Sequence, residues 1–248
     1  MPSWLITGAS RGIGLSIVQD LLKDESNFVV ATARNTNAEG LQELAKTYPA
    51  NRLALIKLDV TKPEEIVQAA AEAEKILPKG LDYFLSNAGI GGQAGGSFDD
   101  MDLDLFLEDL KFNAVDVVQL TRAFLPLIRK SEKKKILYVS SILGSVTVGG
   151  AWPVIANAYS VGKAALNMVA RKWGATLKLE GITVAVLHPG WVQTDIGDGI
   201  KDWMAKYAPE TPQITTKQAS EGVINVAKKV TLEETTSFYN FDGNTIPW

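Results

Sequence analysis

The chain has 248 residues, 46% of them hydrophobic and 21% charged, which suits one large α/β domain or two small ones with a buried core. A formal charge of −3 gives no basic field and argues against nucleic acid as the main partner. With no cysteine, disulfides and thiolate chemistry are excluded, and the single His188 cannot build a histidine metal site, so no metal centre is expected.

The sequence enters a short apolar run at 4–7 without a charged leader and long apolar segment ahead of it. No apolar stretch approaches the roughly 20 residues that span a bilayer, so a soluble, cytoplasmic protein is expected. Directly after that run come Gly8, Ser10, Arg11, Gly12, Ile13 and Gly14, and then a helical pattern over 13–22. A strand, a glycine turn and a helix start make an anion site, because backbone N–H groups and the helix dipole face a phosphate that glycine lets come close. The spacing is G-x-x-x-G-x-G, not the usual G-x-G-x-x-G fingerprint, and three glycines could also serve packing alone.

The second run, 28–33, ends Ala33-Arg34-Asn35 with no acid. NAD selection usually needs a carboxylate there to accept from the ribose 2′-hydroxyl. Arg34 instead offers a forked guanidinium suited to a 2′-phosphate, and Arg11 in the glycine loop is placed as a second cation; together they point to NADP. Either arginine could also be an ordinary surface charge. A helix over 38–48 and a strand over 53–58 follow, leading to Asp59 and Val60. The next helix, 64–77, has Pro63 at its first turn, Glu64 and Glu65 near its positive end, and Thr61 ahead as the expected cap.

A fourth run at 83–86 leads into Asn87, Ala88 and Gly89, which open a glycine-rich loop at 89–96. A single long helix is expected over 103–130, carrying Asn113. Strands at 136–140 and 182–188, helices at 158–180 and 216–229, and a final strand at 237–241 complete the pattern. The earlier runs are rich in Val, Ile and Leu without clean alternation, as suits strands buried on both faces. Alternation of strand and helix implies a Rossmann-type, doubly wound parallel sheet of about seven strands with helices on both faces. A single domain over 1–248 is expected, with a small mobile lid near 195–212.

Tyr159 and Lys163 are four apart in a helical segment and so share one face. A phenol with a pKa near ~10 is a poor base at neutral pH. A neighbouring ammonium favours the phenolate, which makes this pair suited to moving a proton onto or off an alcohol oxygen. An amphipathic helix with an interfacial Tyr and a snorkelling Lys is the plainer reading of the pair in isolation. Ahead of it stand Ser140 and Ser141, and a strand puts neighbours on opposite faces, so either could reach a substrate oxygen. Ser141 and Tyr159 stand 18 positions apart, with Gly149, Gly150, Trp152 and Pro153 in the stretch 147–157 between them.

Taken together these motifs resemble the short-chain dehydrogenase/reductase family. Thr7-Gly8-x-x-x-Gly12-x-Gly14 matches its TGxxxGxG, and Ser86-Asn87-Ala88-Gly89 its NNAG with Ser for the first Asn. Ser140-Ser141 matches its SSxxG, Tyr159-x-x-x-Lys163 its YxxxK, and Pro189-Gly190 its PG turn after the sixth strand. The Ser-Ser-Ile-Leu-Gly-Ser, His-Pro-Gly-Trp-Val-Gln-Thr-Asp and Asp-Gly-Asn-Thr-Ile-Pro-Trp segments resemble the sniffer/C-factor-like branch of carbonyl reductases. The resemblance implies a catalytic set of Asn113, Ser141, Tyr159 and Lys163, picking the second serine, with Asn113 bending its helix and holding a water beside Lys163. It implies cofactor contacts from the glycine loop and Arg34, an adenine contact from Asp59 with Val60, and further contacts from Asn87, Ala88, Gly89, Tyr159, Lys163, Pro189, Gly190, Val192 and Thr194. The spacing from Ser141 to Tyr159 is longer than in many relatives, which leaves the local loop shape open.

Ligands in this fold sit beyond the carboxyl ends of the strands. The expected substrate walls are therefore Leu143, Trp152, Trp191 and Trp203, with Ile90, Ser145 and Tyr207 nearby. Core packing is the plainer role for the aromatics. An NADPH-dependent reductase of a bulky aromatic or polycyclic carbonyl compound is the reading these residues suggest, as a homodimer or homotetramer if it assembles. A non-catalytic NADP-binding regulatory protein on the same scaffold is the alternative, against which the intact set of four speaks. A dehydratase or epimerase would want an extra substrate domain. A serine hydrolase lacks its G-x-S-x-G elbow, and the one histidine sits in a Pro-Gly turn.

Overall fold

The computed structural model describes residues 1–90, 97–152 and 154–248. The expected segment 89–96 therefore lies outside the described residues from 91 onward, and so does Pro153. Seven parallel strands form one sheet: β1 (Ser3–Thr7), β2 (Phe28–Ala33), β3 (Leu53–Lys57), β4 (Tyr83–Ser86), β5 (Lys135–Val139), β6 (Thr183–His188) and β7 (Ser237–Asn240). Their order across the sheet is β3-β2-β1-β4-β5-β6-β7. Each strand lies within a residue or two of its expected place.

Successive side chains enter opposite layers. Leu5, Val30, Ile56, Phe84, Ile136 and Val184 pack into one core, while Trp4, Ile6, Val29, Ala31, Leu85 and Leu137 pack into the other. The helices are α1 (Gly12–Leu22), α2 (Glu39–Thr47), α3 (Pro63–Ile76), α4 (Leu103–Leu110), α5 (Val117–Lys130), α6 (Val146–Gly149), α7 (Asn157–Leu177), α8 (Asp195–Asp198), α9 (Lys201–Tyr207) and α10 (Thr216–Lys229); α3, α5 and α7 close the first core, and α1, α2 and α10 the second. Trp4 stacks on Tyr83 with ring centroids 3.8 Å apart and gives its indole N–H to Asn27 Oδ1 at 3.2 Å, so its one polar atom is satisfied in the core. The buried Lys135 stem delivers its ammonium to the carbonyls of Ala227, Lys228 and Val230 at 2.7–3.0 Å, satisfying orphan acceptors at the end of α10. At the other end of that helix, Thr215 and Gln218 form a reciprocal capping box.

Two local expectations are corrected. Thr61 does not cap α3: its N–H and hydroxyl both bond to Asp59 Oδ1, at 3.0 and 2.8 Å, and Lys62 holds the cap position without a side-chain bond. Glu65 meanwhile accepts from the Asp59 N–H at 2.9 Å, pulling the strand exit onto the helix start. The single helix expected over 103–130 is interrupted by a π-helical segment, Lys111–Asp116. Asn113 in that segment gives its side-chain N–H to the Asp109 carbonyl at 2.9 Å, competing with the ordinary backbone ladder.

The chain runs outward from β1 to β3, then returns to lay β4 on the other side of β1. That reversal opens a crevice at the carboxyl ends of β1 and β4, where ligands bind in open α/β sheets.

Candidate active site

Both flanks of the crevice are short loops that hold each other. The Thr7 hydroxyl accepts from the N–H groups of Asn87 and Ala88 at 3.0 Å each, and Asn87 Nδ2 donates to the Thr7 carbonyl at 2.9 Å. The loop after β1 is thereby fixed to the loop after β4. Gly14 sits where a Cβ would lie 2.3 Å from the Gly8 carbonyl oxygen and 2.6 Å from Asn87 Nδ2. Gly8 has φ +69° and would push a Cβ to 2.8 Å from Ala88 Cα. Neither place admits a side chain. Helix α1 then starts from an extended Arg11, with no side-chain cap and no acid in its first turn, so no carboxylate competes for its amides.

From this cradle a single cleft of about 1310 Å³ runs across the carboxyl edge of the sheet. Its lining includes Gly8, Ser10, Arg11, Gly12, Ile13, Gly14, Arg34, Asp59 and Val60 at one end. Asn87, Ala88, Gly89, Pro189, Gly190, Val192 and Thr194 line the middle, and Ser141, Tyr159 and Lys163 stand on the far side. At the Arg34 end, burial opposes ionisation of Asp59, but hydrogen bonds from Thr61 and the nearby Arg34 hold its carboxyl below the usual range. Arg11 reaches across to Asp195 at the start of α8, an exposed pair joining the glycine loop to the 195–212 segment.

The two serines after β5 take different roads. Ser140, buried, donates to Asn167 Oδ1 of α7 at 2.6 Å. Ser141 accepts the Leu143 N–H at 3.2 Å, and its side chain lies near enough to the Tyr159 hydroxyl to favour the phenolate. Alternation along the strand thus turns one serine into the helix layer and leaves the other beside Tyr159. Lys163 lies one turn on, 5.5 Å from the centre of the Tyr159 ring, and donates to the Val139 carbonyl at 3.2 Å. Burial pushes Tyr159 up to about 12, with Ser141 opposing the rise. Burial brings Lys163 down to about 8, opposed by Asp109. Asn113 does not line the cleft; it is buried behind Lys163, with its Oδ1 unpartnered among the described residues. His188, which burial pushes down to about 4, is neutral at physiological pH.

Leu143, Trp152, Trp191 and Trp203 all line the cleft, and Ile90 does too. Trp191 is tied down by its indole N–H, which donates to the Gly197 carbonyl at 2.7 Å. Trp203 packs on Tyr207 with ring centroids 5.1 Å apart. Two expected wall residues are not on the cleft. Ser145 is buried and spends its hydroxyl on the Pro247 carbonyl at 2.7 Å, and Tyr207 turns outward, half exposed. In the 147–157 stretch, the end of α6 is followed further on by Val154 and Ala156, with φ of +54° and +44°. This strained exit delivers buried Ile155 to the cleft just ahead of α7.

Sequence reasoning missed the cleft wall formed by Phe241, Asn244, Thr245 and Ile246. A turn after β7, closed by the Gly243 N–H on the Asn240 carbonyl at 2.9 Å, folds Thr245 back antiparallel to Tyr239. No local pattern announces that return; the Asp-Gly-Asn-Thr run is the only hint of a turn.

A family model described as short chain dehydrogenase matches residues 3–205. The chain belongs to the short-chain dehydrogenase family. An uncharacterized oxidoreductase of Schizosaccharomyces pombe is 33% identical over 252 aligned positions, covering 99% of this chain and 97% of that protein. A short-chain dehydrogenase/reductase of Arthrinium sp is 37% identical over 79% of this chain and 76% of its own length. Among solved structures, the NADPH-bound carbonyl reductase from chicken fatty liver superposes with a TM-score of 0.87 at 32% identity, covering 100% of this chain and 99% of the other. The carbonyl reductase Sniffer of D. melanogaster gives 0.88 at 27% identity over 100% of both chains. No helix among the described residues is long and apolar enough to cross a membrane.

Proposed function

We propose that this chain is an NADPH-dependent reductase of carbonyl compounds, with a bulky aromatic or polycyclic ketone or quinone as the substrate class. The observation that carries the reading is one continuous cleft with Arg34 at one end and Ser141 beside Tyr159, backed by Lys163, at the other. The glycine cradle has the shape a pyrophosphate needs, and β2 ends without an acid, so Arg34 would take the 2′-phosphate, with Arg11 as a second cation near the lid. Bound NADPH supplies a hydride to the carbonyl carbon.

The chain's own groups manage the oxygen. Ser141 would hold the substrate oxygen, and Tyr159 would give its phenolic proton to that oxygen as negative charge builds there. With burial holding it near 12, Tyr159 rests as the protonated acid, the form that reduction requires. Lys163, as ammonium, stabilises the phenolate left behind. Asn113, just behind it, would orient the path by which the proton is replaced. The sheet and the 195–212 segment would form one domain with a lid.

The substrate reading rests on Leu143, Trp152, Trp191 and Trp203 around the far end of the cleft, without an Arg to fix a carboxylate there. Stacking and area burial favour uncharged rings. It is tested by kcat/KM for one aromatic ketone and one small keto acid with NADPH. The ketone should win by at least about tenfold, a difference of ~1.4 kcal/mol in transition-state binding. A preference for the keto acid overturns the substrate class.

A further inference from the structure

Helix α4 carries an acid that the proposed chemistry does not use. That acid, next to the exposed Glu108, is Asp109. In the structure it is 2% exposed, and neither carboxylate oxygen has a hydrogen-bond partner among the described residues. A carboxylate buried without partners is costly unless a nearby positive charge compensates it.

The compensating charge is Lys163. Helices α4 and α7 pack against each other, and the contact is tight beside Lys163: a Cβ on Gly162 would lie 2.9 Å from Asn113 Nδ2 and 3.2 Å from the Asp109 carbonyl oxygen. Asn113 in turn holds that same carbonyl through its side chain at 2.9 Å, which fixes the Asp109 turn against α7. Lys163 is 5% exposed and donates to the Val139 carbonyl, a neutral acceptor. The two buried groups do not touch as an ion pair; burial pushes the Asp109 carboxyl up and the Lys163 ammonium down, and each opposes the other's shift.

We propose that Asp109 is a positioning residue whose buried carboxylate is the counter-charge of Lys163, holding Lys163 as an ammonium and keeping the site in its proton-loaded, carbonyl-reducing state. This rests on the reductase reading above. The proton balance is simple. Tyr159 gives one proton to the reduced oxygen as the hydride arrives at carbon, and the tyrosine must regain one before the next turnover. An ammonium behind the phenolate stabilises the charge left by the transfer and can hand a proton on, and a neutral amine does neither. Asp109 raises the proton affinity of both Lys163 and Tyr159, so its effect on both has the same sign.

Among the described residues, the groups around Lys163 come from several elements. Its own helix presents Tyr159, α4 presents Asp109, β5 offers the neutral Val139 carbonyl, and neutral His188 lines the same cleft. Glu108 acts on Asp109 from an exposed position on the same helix.

The test titrates the Lys163 ammonium directly by NMR in protein labelled at the lysine ε-carbon, the signal being assigned by its loss in Lys163→Arg. Asp109→Asn is isosteric and uncharged. It should move the Lys163 midpoint down by about one pH unit, the usual size for loss of an opposite charge a few ångströms away. The alkaline limb of the pH profile of kcat/KM for carbonyl reduction should move in the same direction. Glu108→Gln should move neither. Should Asp109→Asn fail to fold, Asp109→Ser carries the same expectation. An unchanged Lys163 midpoint in a folded, uncharged variant overturns the proposal. A lowered midpoint in a protein that oxidises no NADPH with any carbonyl compound supports the pairing and overturns the reductase reading instead.

Discussion

The two ends of the cleft are built differently. The glycine-loop end is made of backbone: loops after β1 and β4 are tied by Thr7 and Asn87, and glycines stand where nothing larger fits. The tryptophan-lined end is made of side chains on short elements, with Trp191 bonded to the Gly197 carbonyl, Trp203 packed on Tyr207, and Ile155 presented by a strained turn. A backbone site leaves little freedom for substitution, whereas a side-chain wall can be re-cut without touching the sheet. One end is thus held by the fold itself, and the wall at the other is adjustable.

Substitutions should expose that asymmetry. The largest effect is expected at Gly14. In Gly14→Ala the new methyl must displace the Gly8 carbonyl, 2.3 Å away, or the Asn87 amide, so NADPH affinity measured by fluorescence titration should fall by about 100-fold or more, alongside a lowered Tm. Near-normal binding by that variant would show that the cradle is not where the phosphates lie. Next comes Arg34→Ala, which removes one charged hydrogen-bonding group. NADPH should lose roughly 1.5–3 kcal/mol, about a 10- to 150-fold rise in Kd, while NADH binding changes little. Equal titration curves for the two dinucleotides in the wild type would contradict the 2′-phosphate assignment. The smallest is Trp191→Ala at the other end. It should raise KM for an aromatic ketone several-fold and leave NADPH Kd unchanged; a parallel loss of cofactor binding would mean that the tryptophan packs the cradle instead.

The same division governs what could be read from the amino-acid string. Backbone features leave local marks: apolar runs mark β1 to β7, and glycines after β1 mark the turn that needs them. The Tyr159/Lys163 pair is visible because a helix repeats every ~3.6 residues. Features set by side-chain competition leave weaker marks. Asn113 breaks a helix that propensity alone carries through, because its amide takes the Asp109 carbonyl. Thr61 looks like a cap until Asp59 claims its hydroxyl. Which of Ser140 and Ser141 meets Tyr159 depends on strand phase, and the bond from Ser140 to Asn167 settles it in space. The return of Thr245 to the cleft and the burial of Asp109 come from packing between elements distant in sequence, and nothing near those residues announces either.

The claim that everything else depends on is that Tyr159 gives the proton. Its most direct test is single-turnover NADPH consumption, followed by absorbance with an active aromatic ketone, in wild type and Tyr159→Phe. The phenylalanine variant keeps the ring that lies beside Lys163 and loses only the hydroxyl. It should bind NADPH with an unchanged Kd and consume it at least about 1000-fold more slowly, a barrier increase of ~4 kcal/mol. Consumption within a few-fold of wild type would contradict the account, because the proton would then come from another group.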